Sequence, residues 1–198
     1  METWQINGYT LEYDGESHTY IVDGLIVPSV TQILSVKYGN KYAGVNRSTL
    51  ERAAGRGTAI HEAIEKYCKG DAAQIEVKEV RNFRFLINYY ALSVLENETP
   101  IIIAKDGAPI AAGRLDLILS DNENMSIADI KTTSTLDKEY LAYQLNLYRI
   151  GYMQSYRKDI TQLYGVHLRD DRRKLVKIPI NEGAAWDIID NYERSEHE

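Results

Sequence analysis

One cysteine, Cys68, is all that the 198-residue chain contains. A single thiol excludes a disulfide framework, a thiolate zinc site and a four-cysteine iron–sulfur cluster, and it fits a reducing compartment. Long hydrophobic runs are missing too. The longest, around Pro100–Ala104, falls far short of the ~20 residues that a membrane span requires. Met1-Glu2-Thr3-Trp4 has neither the positive segment nor the apolar segment of a secretion signal, so a cytoplasmic protein without a membrane partner is expected. Nor is there an excess of positive charge: the formal net charge is −6, which argues against coating nucleic acid through bulk attraction. Internal repeats, low-complexity tracts and linkers are absent, and one domain over 1–198 is expected.

The composition that remains, 44% hydrophobic and 26% charged, is that of an ordinary globular protein. The charge is unevenly spread. Lys37, Lys41, Arg47, Arg52 and Arg56 are opposed only by Glu51, and Arg169, Arg172, Arg173, Lys174 and Lys177 only by Asp170 and Asp171. Residues 182–198 hold six acids against Arg194. Two local basic surfaces and an acidic terminal helix follow from this.

Local pattern predicts short strands within residues 1–28, including 9–13 and 20–22, and a short helix after Pro28 with Ser29 as its N-cap. Helices are expected over about 45–69 and 75–96, the second from apolar residues at Val80, Phe83, Ile87, Tyr90 and Val94. The period then becomes two. Strands are predicted at 101–103, 110–119 and 125–132, joined by turns at 105–109 and 120–124. A helix over 137–156, strands at 162–168 and 174–180 and a last helix from 182 complete an α/β (α+β) domain, in which helices flank a central mixed sheet. Its catalytic core would span about 45–180.

Three constellations carry chemistry. Asp116 and Asp129 interrupt apolar strands, and Lys131 shares the face of Asp129 ~6.6 Å along the strand. A carboxylate so placed must be paired, hydrogen-bonded or bound to metal. Two carboxylates with a lysine suit a hard divalent cation and a water beside it, though a strand-face ion pair has the same spacing. His61 and Glu65 lie i, i+4 on one helical face. Gln144 and Tyr148 repeat that spacing on the helix after the lysine strand, where a phosphate or base contact competes with simple core packing.

The order Gly57-x-x-x-His61-x-x-x-Glu65, Gly113-Arg-Leu-Asp116, Asp129-Ile-Lys131, Gln144-x-x-x-Tyr148 resembles the RecB-type, phage-encoded exonuclease branch of the PD-(D/E)XK nuclease superfamily. So does His18-Thr-Tyr through Pro28-Ser-Val-Thr-Gln-Ile-Leu34, and the likeness covers roughly residues 18–151. Leu115 stands where the superfamily name has proline, and the cysteines of the iron–sulfur relatives are missing. The resemblance implies a restriction-endonuclease-like core and Mg²⁺- or Mn²⁺-dependent hydrolysis of DNA phosphodiesters. Asp116, Asp129, the Ile130 carbonyl and His61 would hold the ion, with Glu65 a further ligand, a support behind the ligands or a packing residue, and Lys131 would orient the attacking water. Gln144 and Tyr148 would hold DNA, with Arg52, Arg56 and Arg114 as further contacts. DNA ends in a bacterial or phage-infected cytoplasm would be the substrate. A single-strand-annealing or recombination partner and a homo-oligomer are both compatible with it. An endonuclease of the same chemistry and a DNA-binding module without activity are the alternatives.

Overall fold

A computed structural model describes residues 1–39 and 43–195; Lys41 of the first basic stretch and the last three residues of the acidic segment 182–198 lie outside them. Four short strands come first: β1 (Glu2–Ile6), β2 (Tyr9–Asp14), β3 (Thr19–Val22) and β4 (Leu25–Val27) form an antiparallel sheet in chain order. The helix α1 (Val30–Tyr38) follows. Ser29 caps it as expected, its hydroxyl accepting from the Gln32 N–H while the Gln32 side chain accepts from the Ser29 N–H. Next come α2 (Arg47–Cys68), a 3-10 turn (Ala72–Glu76) and α3 (Lys78–Tyr89).

The second sheet is mixed, in the order β5 (Ser93–Lys105), β6 (Ala108–Ser120), β7 (Met125–Lys131), β8 (Gln162–Arg169), β9 (Arg172–Ile178). Only β7 and β8 run parallel, and α4 (Lys138–Tyr156) makes the crossover between them. The terminal helix is α5 (Glu182–Ser195). The described residues thus form a mixed α+β fold with two sheets and five α-helices. Among the described residues no helix is long and apolar enough to cross a membrane.

Two expected boundaries fail here, the end of one helix and the start of the strand after it. The helix read over 75–96 is a 3-10 turn, a shorter helix and the first residues of β5. Ala91, at φ 51°, ends the helical path, yet Val94 packs into the same cluster as Val80 and Phe83. Because the strand turns back onto the core that the helix covers, the apolar spacing continued across the break.

Each face of the large sheet has its own core. Helices α1, α4 and α5 cover one, with Leu34, Leu115, Leu145 and Ile188 buried there; α2 and α3 cover the other, with Ile64, Phe83, Leu117 and Val166. The small sheet packs on Ile102 and Ala112 of β5 and β6, and the Pro28 carbonyl accepts from the Ala112 N–H.

Candidate functional site

Strands β6 and β7 pair from Ser120–Met125 as far as Leu117–Ala128 and then part, β6 continuing with β5 and β7 with β8. Asp116 and Asp129 are the next residues beyond that last pair. At this fork a carboxylate replaces the backbone ladder: the Ile130 N–H donates to Asp116 Oδ2 at 2.6 Å. The interruption of apolar strands by aspartate therefore marks the place where the sheet opens. It is also the carboxyl end of β7, and the crevice beyond such strand ends is where open α/β sheets receive ligands.

Helix α2 brings His61 to the fork. Its Nε2 is 3.0 Å from the Ile130 carbonyl and its Nδ1 3.6 Å from Asp116 Oδ2. Gly57 of α2 faces the end of β7, where a Cβ would lie 3.4 Å from Thr132 Oγ1, an ordinary van der Waals distance. Glu98, absent from the sequence reading, completes the cluster. His61, Glu98 and Asp116 each offer a ligand atom within 4.8 Å of the others. Register places Glu98 on β5 opposite Asp116, between the pairs Asn97–Leu117 and Thr99–Leu115. Its φ of 48° is left-handed, a costly conformation for a non-glycine residue inside a strand, and such outliers gather at functional sites. The sequence signal is a carboxylate in Asn97-Glu98-Thr99-Pro100, next to an apolar run. It went unread because those residues fell between a helix assigned too long and a strand assigned too short.

Lys131 and Asp129 do share a face. Their Nζ and Oδ2 atoms are 2.6 Å apart, a buried ion pair. Lys131 Nζ donates to Gln144 Oε1 at 2.9 Å, and Gln144 Nε2 to the Tyr148 hydroxyl at 3.4 Å. Gln144 and Tyr148 are buried, at 5% and 6% exposure. They lie beneath the lysine rather than on a surface that DNA reaches.

Electrostatics ties the groups together. Burial alone would push His61 down, but the Asp116 carboxylate beside it raises it to about 9. Burial works on Asp116 as well, and is outweighed by His61 and Lys131, so this carboxyl is held below its ordinary range. Asp129 is raised, because its burial exceeds the pull of Lys131 and Asp116 adds repulsion. Burial and the Asp116 charge lift Glu98 to about 7, against Arg114 and His61. Lys131 is raised despite its burial by Asp129 and Asp116, which keeps it an ammonium group.

The donor set could hold a divalent cation: an imidazole and two carboxylates converge beside a carbonyl, with the Asp129–Lys131 ion pair on the adjoining strand. Glu65 is not in the cluster and pairs with Lys69 at 2.5 Å. Three arginines differ in their roles. Arg114 is turned inward, its Nε 2.9 Å from Glu98 and its Nη1 3.2 Å from Glu2, so it buttresses Glu98 instead of facing DNA. Arg56 is likewise engaged, with Glu79 at 2.6 Å and Asp170 at 3.6 Å. Arg52 is exposed. The second basic stretch does flank the site: Arg169 and Arg172 donate to the carbonyls of Thr132 and Ser134, just after Lys131.

No protein-family model matches the chain. No curated protein matches it either. Among solved structures it is similar to the crystal structure of SSO0001, at 17% identity over 87% of this chain and 77% of that one, with a TM-score of 0.48.

Proposed function

We propose that the protein is a metal-dependent deoxyribonuclease, most simply an exonuclease acting on DNA ends. The observation that carries this reading is the convergence of His61, Glu98, Asp116, Asp129 and Lys131 at the fork of β6 and β7. The motif order supports DNA ends as the substrate. His61, Glu98 and Asp116 would hold Mg²⁺ or Mn²⁺, with Asp129 and the Ile130 carbonyl adjacent. When bound, such an ion neutralises the phosphodiester and lowers the pKa of a coordinated water.

The chain's own residues have separate tasks. Lys131 remains protonated between Asp129 and Gln144, so its Nζ serves as a fixed donor to developing negative charge, not as a base. Gln144 and Tyr148 are positioning residues: one holds the ammonium group by its carbonyl oxygen and the other holds the amide. Arg114 keeps Glu98 turned toward Asp116. Arg169 and Arg172, beside the fork, supply positive charge near the scissile phosphate.

The test is to incubate linear and covalently closed circular DNA with Mg²⁺ or Mn²⁺, using wild-type protein, Asp116→Asn and Lys131→Ala. Loss of linear DNA alone, abolished by Asp116→Asn and slowed by Lys131→Ala, supports an exonuclease. Cutting of circles assigns an endonuclease, and binding without cutting under either ion overturns the enzymatic reading.

A further inference from the structure

The chain has two phenylalanines, and they are used in opposite ways: Phe83 is in the core, whereas Phe85 is 43% exposed. Phe85 begins an aromatic array on α3. Tyr89, 70% exposed, stacks on it with ring centroids 5.8 Å apart and planes at 15°. Tyr90, 46% exposed, stands at 82° to Tyr89 with centroids 5.0 Å apart. From β9, the Arg173 guanidinium lies 3.8 Å from the centroid of Phe85. One end of the stack is thus closed by a cation, and the outer face of Tyr89 is open, with Tyr90 as a side wall.

We infer that this face binds single-stranded DNA, an unpaired base continuing the stack on Tyr89 while phosphates meet neighbouring cations. Aromatic rings beside arginine are the elements with which proteins hold single strands, since every base has a π-face and the backbone is anionic. Duplex bases are already stacked and leave no face for Tyr89. The charge is complementary as well. The only carboxylate of α3, Glu79, is buried against Arg56, whereas Arg84 is exposed and Arg81, also exposed, donates to the Ile75 and Glu76 carbonyls. Of the hairpin acids, Asp170 lies against Arg56 and Arg169, and Asp171 against Lys78.

The position extends the proposed activity, on which this inference rests. Arg169 contacts the Thr132 carbonyl beside Lys131, the Asp170 carbonyl accepts from Asn82 of α3, and Arg173 reaches Phe85. A continuous line of contacts runs from the fork to the array, along which one strand of a processed end would lie.

Fluorescence anisotropy of labelled oligothymidylate, in chelator, measures binding without hydrolysis; a blunt duplex of equal length is the control. Tyr89→Ala should weaken single-strand affinity about tenfold and leave duplex affinity unchanged, while Tyr89→Trp restores it. Because Tyr89 is so exposed, neither variant should alter the melting temperature. Unchanged single-strand affinity in Tyr89→Ala overturns the inference. So does sedimentation showing that wild-type protein self-associates through this face, with Tyr89→Ala monomeric and its DNA affinity intact. The two proposals fail separately: Tyr89-dependent binding by a protein that cuts no DNA removes the nuclease reading alone, and cutting with Tyr89-independent binding removes the array alone.

Discussion

At the scale of single residues, the site is a balance of charges that a cation would reset. In the ion-free protein His61 and Lys131 offset Asp116 and Asp129, and Arg114 offsets Glu98. His61 is raised, so its protonated form stabilises the fold below its ordinary value near 6.5, and that contribution is lost as pH rises through about 9. Glu98 is raised from 4.5 to about 7, so its neutral form is the favoured one and the cost of ionising it appears as pH rises through about 7. Both act with the same sign, and the ion-free protein should lose stability between weakly acidic and alkaline pH. A metal held by these residues would compete with the same protons, so its stabilisation should grow over that interval. Thermal melts should show a larger increment from Mn²⁺ at pH 8 than at pH 6; equal increments would remove His61 and Glu98 as ligands. Glu98→Gln should weaken metal binding at least tenfold by calorimetry, whereas Lys131→Ala should reduce cleavage and leave metal affinity nearly intact.

At the scale of elements, the site depends on how closely α4 and α2 approach the sheet. Gly151 of α4 sits against Ile101: a Cβ there would fall 2.5 Å from its Cδ1 and 3.2 Å from its Cβ. Alanine is the better helix former by up to ~1 kcal/mol, but overpacking a core costs about 1–3 kcal/mol. The second effect should win, and Gly151→Ala should lower the melting temperature by several degrees. A rise would mean that α4 shifts freely, and with it Gln144 beneath Lys131. For Tyr148, whose ring lies 3.0 Å from a Cβ built at Gly113, removal of the hydroxyl leaves the packing in place. Tyr148→Phe should therefore keep its stability and lose activity through Lys131 placement. A stability loss with normal turnover per folded molecule would make the tyrosine a core residue only.

For the whole molecule, the distribution of charge matters more than its sum. Acids of α5 are drawn to the far end of the sheet, where Asp190 and Glu193 each lie 2.8 Å from Lys105, seven residues along β5 from Glu98. Basic groups of the β8–β9 hairpin stay beside the fork. DNA binding should fall steeply with salt, at a slope set by the few phosphates contacted and not by the net charge of −6. Arg169→Ala should lower that slope by about one in a salt titration; an unchanged slope would place the phosphates elsewhere.

Much of this was legible from the chain alone. Turn residues and a change of period located nearly every element, because Asp106-Gly107 and Ser29 impose local geometry whatever surrounds them. Polar residues inside apolar strands marked Asp116, Asp129 and Lys131, because a buried charge there needs a partner. Tertiary structure alone decided which groups meet. Glu98 reaches Asp116 only through the pairing of β5 with β6, and Arg56 and Arg114 find acids on other elements, to which they turn instead of to solvent. The α3 boundary escaped for a related reason: a helix and the strand that follows it feed one core, so apolar spacing could not reveal where the backbone turned. Local geometry is written in neighbouring residues, whereas the partners of a charge are set by where distant segments pack.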